Sequence, residues 1–111
     1  NIPNYFLSST DFAIDLIKII DKPNLKLLFD IYHQQIIRGD VTKYLEKYFS
    51  YIGHIQIAGI PNRNEPDDSE LDYSYVISTI KDLNYNGWIG CEYNPKEDTV
   101  SGMKWMSDFN L

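Results

Sequence analysis

The stretch LKLLFDI, residues 25–31, decides the fold of the chain. Alternate residues of a β-strand point to opposite faces, so one face of this stretch is apolar and carries Leu25, Leu27 and Phe29. The other face is mixed and ends on Asp30. The apolar face needs a covering layer, whereas a face with charged residues does not fit beneath a second layer of helices.

Two further stretches, at residues 52–57 and 88–93, repeat this asymmetry. If Gln56 and Glu92 point to the same side as Asp30, the opposite side of both stretches is apolar. That side holds Ile55, Ile57, Ile89 and Cys91, and the mixed side holds His54, Ala58, Trp88 and Gly90. A barrel has this arrangement, because helices cover only its outer face.

Helical periodicity fills the segments between these strands. Apolar residues recur at helical spacing over residues 12–20, 41–49 and 75–83, and residues 8–11 offer N-cap chemistry for the first of these helices. A fourth helix is predicted after Thr99, which would cap it. Strands that alternate with helices predict parallel βαβ units, and an open doubly wound sheet is the competing architecture.

We therefore predict an α/β fold, the C-terminal part of a (β/α)8 TIM barrel with about three strands and four helices. A complete barrel takes about 250 residues, so the 111 residues are expected to form one partial domain, 1–111, without the N-terminal strands. The chain opens on Asn1-Ile2-Pro3-Asn4 and not on Met, which also suggests a fragment.

Composition argues against several classes of function. The net charge of −6 disfavours a nucleic-acid surface, which needs clustered Lys and Arg. No stretch reaches the roughly 20 apolar residues of a membrane helix. Cys91 is the only cysteine, so no internal disulfide is expected, and a reducing compartment such as the cytoplasm is the simplest interpretation. The sequence leaves a homo-oligomer open.

Asp30, Gln56 and Glu92 each lie near the carboxyl end of a predicted strand. In α/β barrels that rim builds the active site. Two converging carboxylates are expensive to bury without a cation or a catalytic role, and hard divalent ions take oxygen ligands from carboxylates and amides. The three residues predict a metal site; the alternative is that each pairs locally at the start of a loop.

Other polar residues near these strand ends are candidates for substrate contact. His33 could orient a ligand or bond a substrate oxygen, or it could be a partly exposed loop histidine. Arg63 could clamp a carboxylate and Lys96 is a second candidate, although most loop cations are only solvated. Glu65 and Asp67 could simply be solvated neighbours in the loop of Arg63. Cys91 is expected to face the helices and is not proposed as a nucleophile.

Several strings carry a resemblance to a known family. They are Asn24-Leu25-Lys26-Leu27, Asp30-Ile31-Tyr32-His33, Gly53-His54-Ile55-Gln56-Ile57-Ala58, Arg63 with Glu65-Pro66-Asp67, and Gly87-Trp88-Ile89-Gly90-Cys91-Glu92-Tyr93. From Asn1 to about Trp105 the chain resembles the hydroxypyruvate isomerases, which belong to the xylose isomerase-like barrels and have the ketose 3-epimerases as relatives.

The resemblance implies an intramolecular oxidoreductase that interconverts hydroxypyruvate and tartronate semialdehyde through an enediolate. It implies Mg²⁺ or Mn²⁺ ligation by Asp30, Gln56 and Glu92, no organic cofactor, and a small hydroxy-oxo acid as the substrate. Glu92 would also be one of two catalytic glutamates, and His33 and Arg63 match substrate-contacting positions. The family's other glutamate lies upstream of the matched segment, so the chain alone is expected to be inactive.

Three alternatives stay open. A 2-oxo-tetronate isomerase or a ketose 3-epimerase of the same barrel would share the metal site. Family members often carry Gly or His where this chain has Asn64, so the substrate contacts of that loop stay open. A DNA-repair endonuclease on a related barrel needs several metal-binding histidines and a basic groove, against which the two His and the acidic charge speak. An inactive barrel fragment with a binding or structural role is the third.

Overall fold

The fold is given by a computed structural model that describes residues 2–109. Asn1, Asn110 and Leu111, which the predicted domain 1–111 includes, lie outside the described residues. Within residues 2–109 the α-helices are α1 Thr10–Ile20, α2 Ile31–Ile37, α3 Val41–Tyr48, α4 Tyr73–Asp82 and α5 Trp105–Asp108. The strands are β1 Leu27–Asp30, β2 Ile52–Ile57 and β3 Ile89–Cys91, and 3₁₀ helices cover Phe49–Tyr51 and Ser101–Met103.

The three strands form one parallel sheet in the order β1-β2-β3. Asp30 lies beside Gln56 in the register of β1 and β2, and Gln56 lies beside Gly90 of β3. Helices follow β1 and β2, so the predicted βαβ units are confirmed. Because the strands are parallel, all three carboxyl ends lie at one edge of the sheet.

The two faces of the sheet differ in burial as predicted. Leu27, Phe29, Ile55 and Ile57 are buried on the face covered by helices, whereas Leu28 on the opposite face is 50 % exposed. The core between sheet and helices also contains Val41, Tyr44, Leu45, Val76, Ile80 and Trp105. One covered and one open face is the arrangement of a barrel wall and not of a doubly wound sheet.

Helix α1 begins where the sequence predicts but packs through a narrower stripe. The Ser9 hydroxyl accepts the Phe12 N–H at 3.2 Å and caps the helix. Ala13 and Ile14 are buried, whereas Phe12 and Ile20, which the periodicity places on the apolar stripe, are exposed. The reason is that α1 lies beside the outer strand β1, so described residues cover only one side of it.

Asp11 ties α1 to α3. Its carboxylate accepts hydrogen bonds from the Tyr44 hydroxyl at 2.6 Å and from the Tyr48 hydroxyl. It also pairs with Lys47 at 3.2 Å and with Arg38 at 3.3 Å. The tyrosine hydroxyls, and after them Lys47, hold the pKa of Asp11 well below its ordinary value.

The chain contains one helix more than predicted within the described residues. Strand β1 stops at Asp30 and α2 starts at once with Ile31, because the Asp30 side chain caps the new helix. Near the other end, the Asp98 carboxylate accepts the backbone N–H groups of Val100 and Ser101, so the predicted cap at Thr99 is wrong. No helix in residues 2–109 is long and apolar enough to cross a membrane.

Candidate active site

Asp30 is both the last residue of β1 and the N-cap of α2. Its Oδ1 accepts the backbone N–H of His33 at 3.1 Å, which fixes the carboxyl group. Its Oδ2 lies 3.8 Å from His33 Nε2, and only 13 % of the Asp30 side chain is exposed. His33 therefore lies in the first turn of a helix and not in a loop, beside a carboxylate that the same turn holds.

Gln56 lies next to Asp30 across the sheet. Its side chain is half-buried, and its amide makes no hydrogen bond with any other described residue. Gly90 leaves room beside it, since a Cβ at that position would lie 2.8 Å from His54 Nε2 and 3.4 Å from Gln56 Cγ. The Gln56 amide oxygen is thus available to a ligand on the open face.

Glu92 follows the last residue of β3. Its backbone N–H donates to the Ile57 carbonyl at 3.2 Å, so the hydrogen-bond ladder continues one residue beyond the strand. The Glu92 side chain is 56 % exposed, and its Oε2 accepts a hydrogen bond from Arg63 Nη2 at 2.5 Å. Glu92 therefore lies at the same sheet edge as Asp30 and Gln56, with its carboxylate paired to the neighbouring loop.

Arg63 lies in the loop between β2 and α4 with a left-handed backbone, φ 58°. A non-glycine residue keeps such a conformation only when its surroundings hold it. The Arg63 N–H donates to the Gly59 carbonyl at 2.8 Å, and the Asn94 N–H donates to the Arg63 carbonyl at 2.8 Å. Arg63 Nε also donates to the Glu92 carbonyl at 3.4 Å. These bonds direct the guanidinium toward Glu92.

Asn64 joins the two loops that carry Arg63 and Glu92. Its Nδ2 donates to the Asn94 carbonyl at 2.7 Å, and its own carbonyl accepts the Gly59 N–H at 2.7 Å. A side chain at Gly59 would collide with the Glu65 carbonyl oxygen, so the turn needs glycine there. The Asn64 amide thus bonds protein backbone, which gives the residue a structural part in the loop.

Glu65 and Lys96 lie apart from these residues. Glu65 is only 7 % exposed, so the expectation of a solvated Glu65 is wrong. Its carboxylate accepts the Lys96 backbone N–H at 3.1 and 3.3 Å, which satisfies the buried group. The Lys96 ammonium pairs with Asp68. Both residues line a separate cavity of about 260 Å³. Lys96 was a candidate for contact with an anionic substrate, and the structure does not bring its ammonium to the other predicted site residues.

Tyr73 fixes the backbone just beyond Gln56. Its hydroxyl donates to the Ala58 carbonyl at 2.7 Å and accepts the Ala58 N–H at 3.4 Å. Burial raises the pKa of Tyr73 well above its ordinary value, so the hydroxyl stays neutral and keeps its proton for this bond. The carboxyl end of β2 is thereby anchored to the first residue of α4.

A cleft of about 570 Å³ brings the five predicted site residues together. They are Asp30, His33, Gln56, Arg63 and Glu92. Part of the cleft wall is apolar and is formed by Tyr5, Leu7, Leu28 and Ile37. A few convergent polar groups beside an apolar wall are the usual composition of a small-molecule site.

The donor atoms in this cleft fit a hard divalent ion in kind. Asp30, Gln56 and Glu92 offer oxygen donors, which Mg²⁺ and Mn²⁺ prefer. In the part of the chain that is described, no three or more His, Cys, Asp or Glu side chains are grouped so that they could hold a metal. One of the three donors is an amide, and Glu92 is drawn to Arg63. Ligation by all three would therefore need Glu92 to share its carboxylate with the ion.

The surroundings of Tyr32 and Cys91 differ from what the sequence indicates. Tyr32 was not singled out, although its ring lies against both Arg63 and His33. Its place two residues after a strand-end acid was the available signal. Cys91 lies beside Ile57 in the register of β2 and β3 and so points to the helix side of the sheet as expected, although it is exposed. It does not line the cleft.

Comparisons with known proteins cover nearly the whole chain. Residues 1–109 match the family model described as xylose isomerase-like TIM barrel. A putative hydroxypyruvate isomerase of Xenopus laevis is 46 % identical over 108 residues, which cover 96 % of this chain and 39 % of the relative. A 2-oxo-tetronate isomerase of Cupriavidus necator is 45 % identical over 109 residues, covering 98 % and 42 %.

Among solved structures, a Brucella melitensis protein described as an AP endonuclease of family 2 superposes with a TM-score of 0.93 at 42 % identity. The match covers 97 % of this chain and 42 % of that one. The chain thus spans about two fifths of the length of the curated relatives it matches.

Proposed function

The chain belongs to the xylose isomerase-like TIM barrel family, and from this premise we propose that it supplies part of the active site of a hydroxypyruvate isomerase. The reaction interconverts hydroxypyruvate and tartronate semialdehyde within one substrate molecule. The observation that carries the proposal is the cleft in which a guanidinium, two carboxylates, an amide and an imidazole meet. Because the relatives are longer, the activity is proposed for a complete barrel that contains these strands.

Arg63 is the proposed anchor for the substrate carboxylate. A guanidinium matches a carboxylate through parallel N–H donors. Nη2 and Nε bond Glu92, while Nη1 makes no hydrogen bond with the described residues. Arg63 can therefore hold a carboxylate through Nη1 and the second N–H of Nη2 without first releasing Glu92. A 2-oxo acid supplies this carboxylate, and a simple ketose does not.

His33 is the proposed contact for an oxygen on the carbon skeleton. Its side chain is 31 % exposed, lines the cleft and lies beside Asp30 Oδ2. The helix turn that begins at Asp30 fixes the His33 backbone, so the ring has a defined approach to the cleft. A ring nitrogen there can bond a carbonyl or hydroxyl oxygen of the substrate.

Glu92 is the proposed acid–base group. It is the only glutamate lining the cleft within residues 2–109. In the isomerisation, a base removes the proton from C3 of hydroxypyruvate, an enediolate forms, and an acid returns a proton to C2. Glu92 performs one of these transfers. The other belongs to a second glutamate, which we expect outside the 111 residues.

Asp30, Gln56 and Glu92 are the proposed ligands of Mg²⁺ or Mn²⁺. When bound, such an ion would stabilise negative charge on the substrate oxygens and acidify the neighbouring C–H bond. The capping bond to His33 uses Asp30 Oδ1, so the same bond orients Oδ2 toward the cleft. The register of β1 and β2 brings residues Asp30 and Gln56 side by side at the carboxyl edge of the sheet.

A 2-oxo-tetronate isomerase is the second candidate. The same Arg63 would take its carboxylate, and a cleft of about 570 Å³ admits a four-carbon acid. The substrate of a ketose 3-epimerase has no carboxylate for Arg63 to bind. Cleavage of DNA, suggested by the name of the Brucella relative, is disfavoured by the net charge of −6.

The test uses a complete barrel, made by joining this chain to the remaining strands of the Cupriavidus necator relative. The protein is incubated with Mg²⁺ or Mn²⁺ and with hydroxypyruvate, 2-oxo-tetronate or a simple ketose, and products are followed by proton NMR. We expect kcat/KM for hydroxypyruvate to exceed that for the ketose at least about tenfold. Faster turnover of 2-oxo-tetronate would favour the second candidate. No turnover of any substrate by a cooperatively folded barrel would contradict an isomerase.

A further inference from the structure

Tyr32 occupies a central position between the two proposed substrate contacts. It is the second residue of α2, so the Asp30 cap fixes its place directly after β1. The Arg63 guanidinium carbon lies 5.0 Å from the centre of its ring, within the range of a cation–π contact. The His33 ring meets the same ring edge-on, with centroids 5.2 Å apart and planes at 79°.

The Tyr32 hydroxyl adds a third contact. It donates to the Pro61 carbonyl at 3.3 Å, two residues before Arg63. One side chain therefore contacts the loop that carries Arg63, the Arg63 guanidinium and the His33 ring. No other aromatic ring among the described residues lies against the Arg63 guanidinium.

The Arg63 side chain needs such a support. Its long stem has many rotamers, and its ion pair with Glu92 is partly exposed to water, which weakens the pairing. A ring beneath the guanidinium removes some of these rotamers and leaves the N–H edge free. That edge is the one the proposed carboxylate contact uses.

We propose that Tyr32 is a positioning residue that holds the Arg63 guanidinium, through the face of its ring, in the orientation needed to bind the substrate carboxylate. This inference rests on the proposed function. Tyr32 touches neither the ion nor the reacting carbons in the proposal. Its effect is on substrate binding through Arg63 and not on proton transfer.

Arginine Nε NMR tests the ring contact without any turnover. The full chain contains only two arginines, Arg38 and Arg63, so ¹⁵N spectra give two Nε–H signals and Arg38 serves as an internal reference. We expect Tyr32→Leu to move the Arg63 signal and to speed its exchange with water about threefold. Tyr32→Phe, which keeps the ring, should leave the position of the Arg63 signal and its exchange rate as in the wild type. Tyr51→Leu is the matched control, because the Tyr51 ring faces Lys18 instead.

Kinetic measurements in the complete barrel then distinguish a positioning role of Tyr32 from a general structural role. We expect Tyr32→Leu to raise KM for hydroxypyruvate about three- to tenfold, with kcat within about twofold of the wild-type value. Tyr32→Phe should keep the wild-type KM. Replacement of Tyr32 by pentafluorophenylalanine keeps the ring shape and removes its negative face, so it should resemble Tyr32→Leu. This variant tests the inference if Tyr32→Leu does not fold.

The outcomes are distinguishable. An unmoved Arg63 signal in Tyr32→Leu, or an unchanged KM beside a moved signal, would overturn the inference. Equal loss of kcat in Tyr32→Leu and Tyr32→Phe would also overturn it. If the wild-type enzyme shows no isomerisation, the proposed function fails, and the Arg63 signal still decides whether the Tyr32 ring holds the guanidinium.

Discussion

Arg63 and Glu92, which are 29 residues apart in the chain, meet in an ion pair with an Nη2–Oε2 distance of 2.5 Å. The pair joins the loop after β2 to the end of β3 on the open face of the sheet. Because both side chains are partly exposed, the pair contributes little to folding stability. Substitutions at these two positions should therefore change activity without unfolding the protein.

Glu92→Gln should reduce kcat for hydroxypyruvate isomerisation about 10²- to 10⁴-fold in the complete barrel, because the amide cannot accept or return a proton. The amide keeps the shape of the side chain and an oxygen for a ligand. Glu97→Gln, an exposed acid outside the cleft, is the control and should leave kcat unchanged. Near wild-type turnover by Glu92→Gln would rule out its acid–base role.

Arg63→Lys should raise KM for hydroxypyruvate about tenfold or more with a smaller change in kcat, because a single ammonium replaces the forked donors of the guanidinium. The matched control here is a second substrate and not a second variant. A neutral hydroxyketone without a carboxylate should show the same KM with both proteins. Equal effects on the acid and the neutral compound would contradict carboxylate binding by Arg63.

Removal of divalent ions with a chelator should abolish isomerisation, and Mg²⁺ or Mn²⁺ should restore it. Asp30→Asn should weaken Mn²⁺ binding about tenfold or more, measured by the free Mn²⁺ signal in electron paramagnetic resonance, because a neutral amide replaces a charged ligand. Asp40→Asn, an exposed acid at the start of α3, should not alter binding. Unchanged Mn²⁺ affinity in Asp30→Asn would remove Asp30 from the ligand set.

Asp11→Asn should lower the free energy of unfolding by about 1–2 kcal/mol near neutral pH. The hydroxyls of Tyr44 and Tyr48 lower the pKa of folded Asp11 below the ordinary value of 3.8, which applies in the unfolded chain. The stabilisation is therefore present above pH 3.8 and is lost as the pH falls through the folded pKa.

Melting temperatures measured between about pH 6 and pH 2 check this dependence. The wild-type advantage over Asp11→Asn should shrink toward the acid end. Asp15→Asn, on the exposed side of the same helix, should change stability by less than about 0.5 kcal/mol. A wild-type advantage that is constant over this range would contradict the role of the Asp11 charge.

Tyr73→Phe should destabilise the fold by about 1–3 kcal/mol, because the buried Ala58 carbonyl loses its donor at the end of β2. Urea denaturation measures the change. Tyr75→Phe, at an exposed position of the same helix, should be within about 0.5 kcal/mol of wild type. Equal stability of the two variants would show that the Tyr73 hydroxyl does not anchor the strand.

Much of the fold could be predicted because its signals are local. The alternation in residues 25–30 and 52–57 gave the strands and their two faces, and the stripe from Val41 to Tyr48 gave α3. Helix α2 was missed because Ile31 extends the apolar run of β1 and the polar residues 33–35 that follow it are typical of a loop. Only the side-chain cap made by Asp30 turns the chain into a helix at that point.

The placement of Asp30, Gln56 and Glu92 at one edge could be predicted because the ends of parallel strands coincide. The pairings around them could not, since they join residues far apart in sequence. Arg63 meets Glu92 across two loops, and Glu65 is buried by the backbone of Lys96, 31 residues later. Periodicity and composition contain no information on such loop-to-loop contacts.

The sheet order β1-β2-β3 repeats the order of the chain. Each new strand therefore adds to the edge left by the strand made just before it, and none has to insert between two strands that are already paired. During synthesis, which proceeds at about 5–20 residues per second, β1 can await β2 for only a few seconds. The pairing of strands in this wall can therefore follow the order of synthesis, with no strand waiting for a partner made several units later.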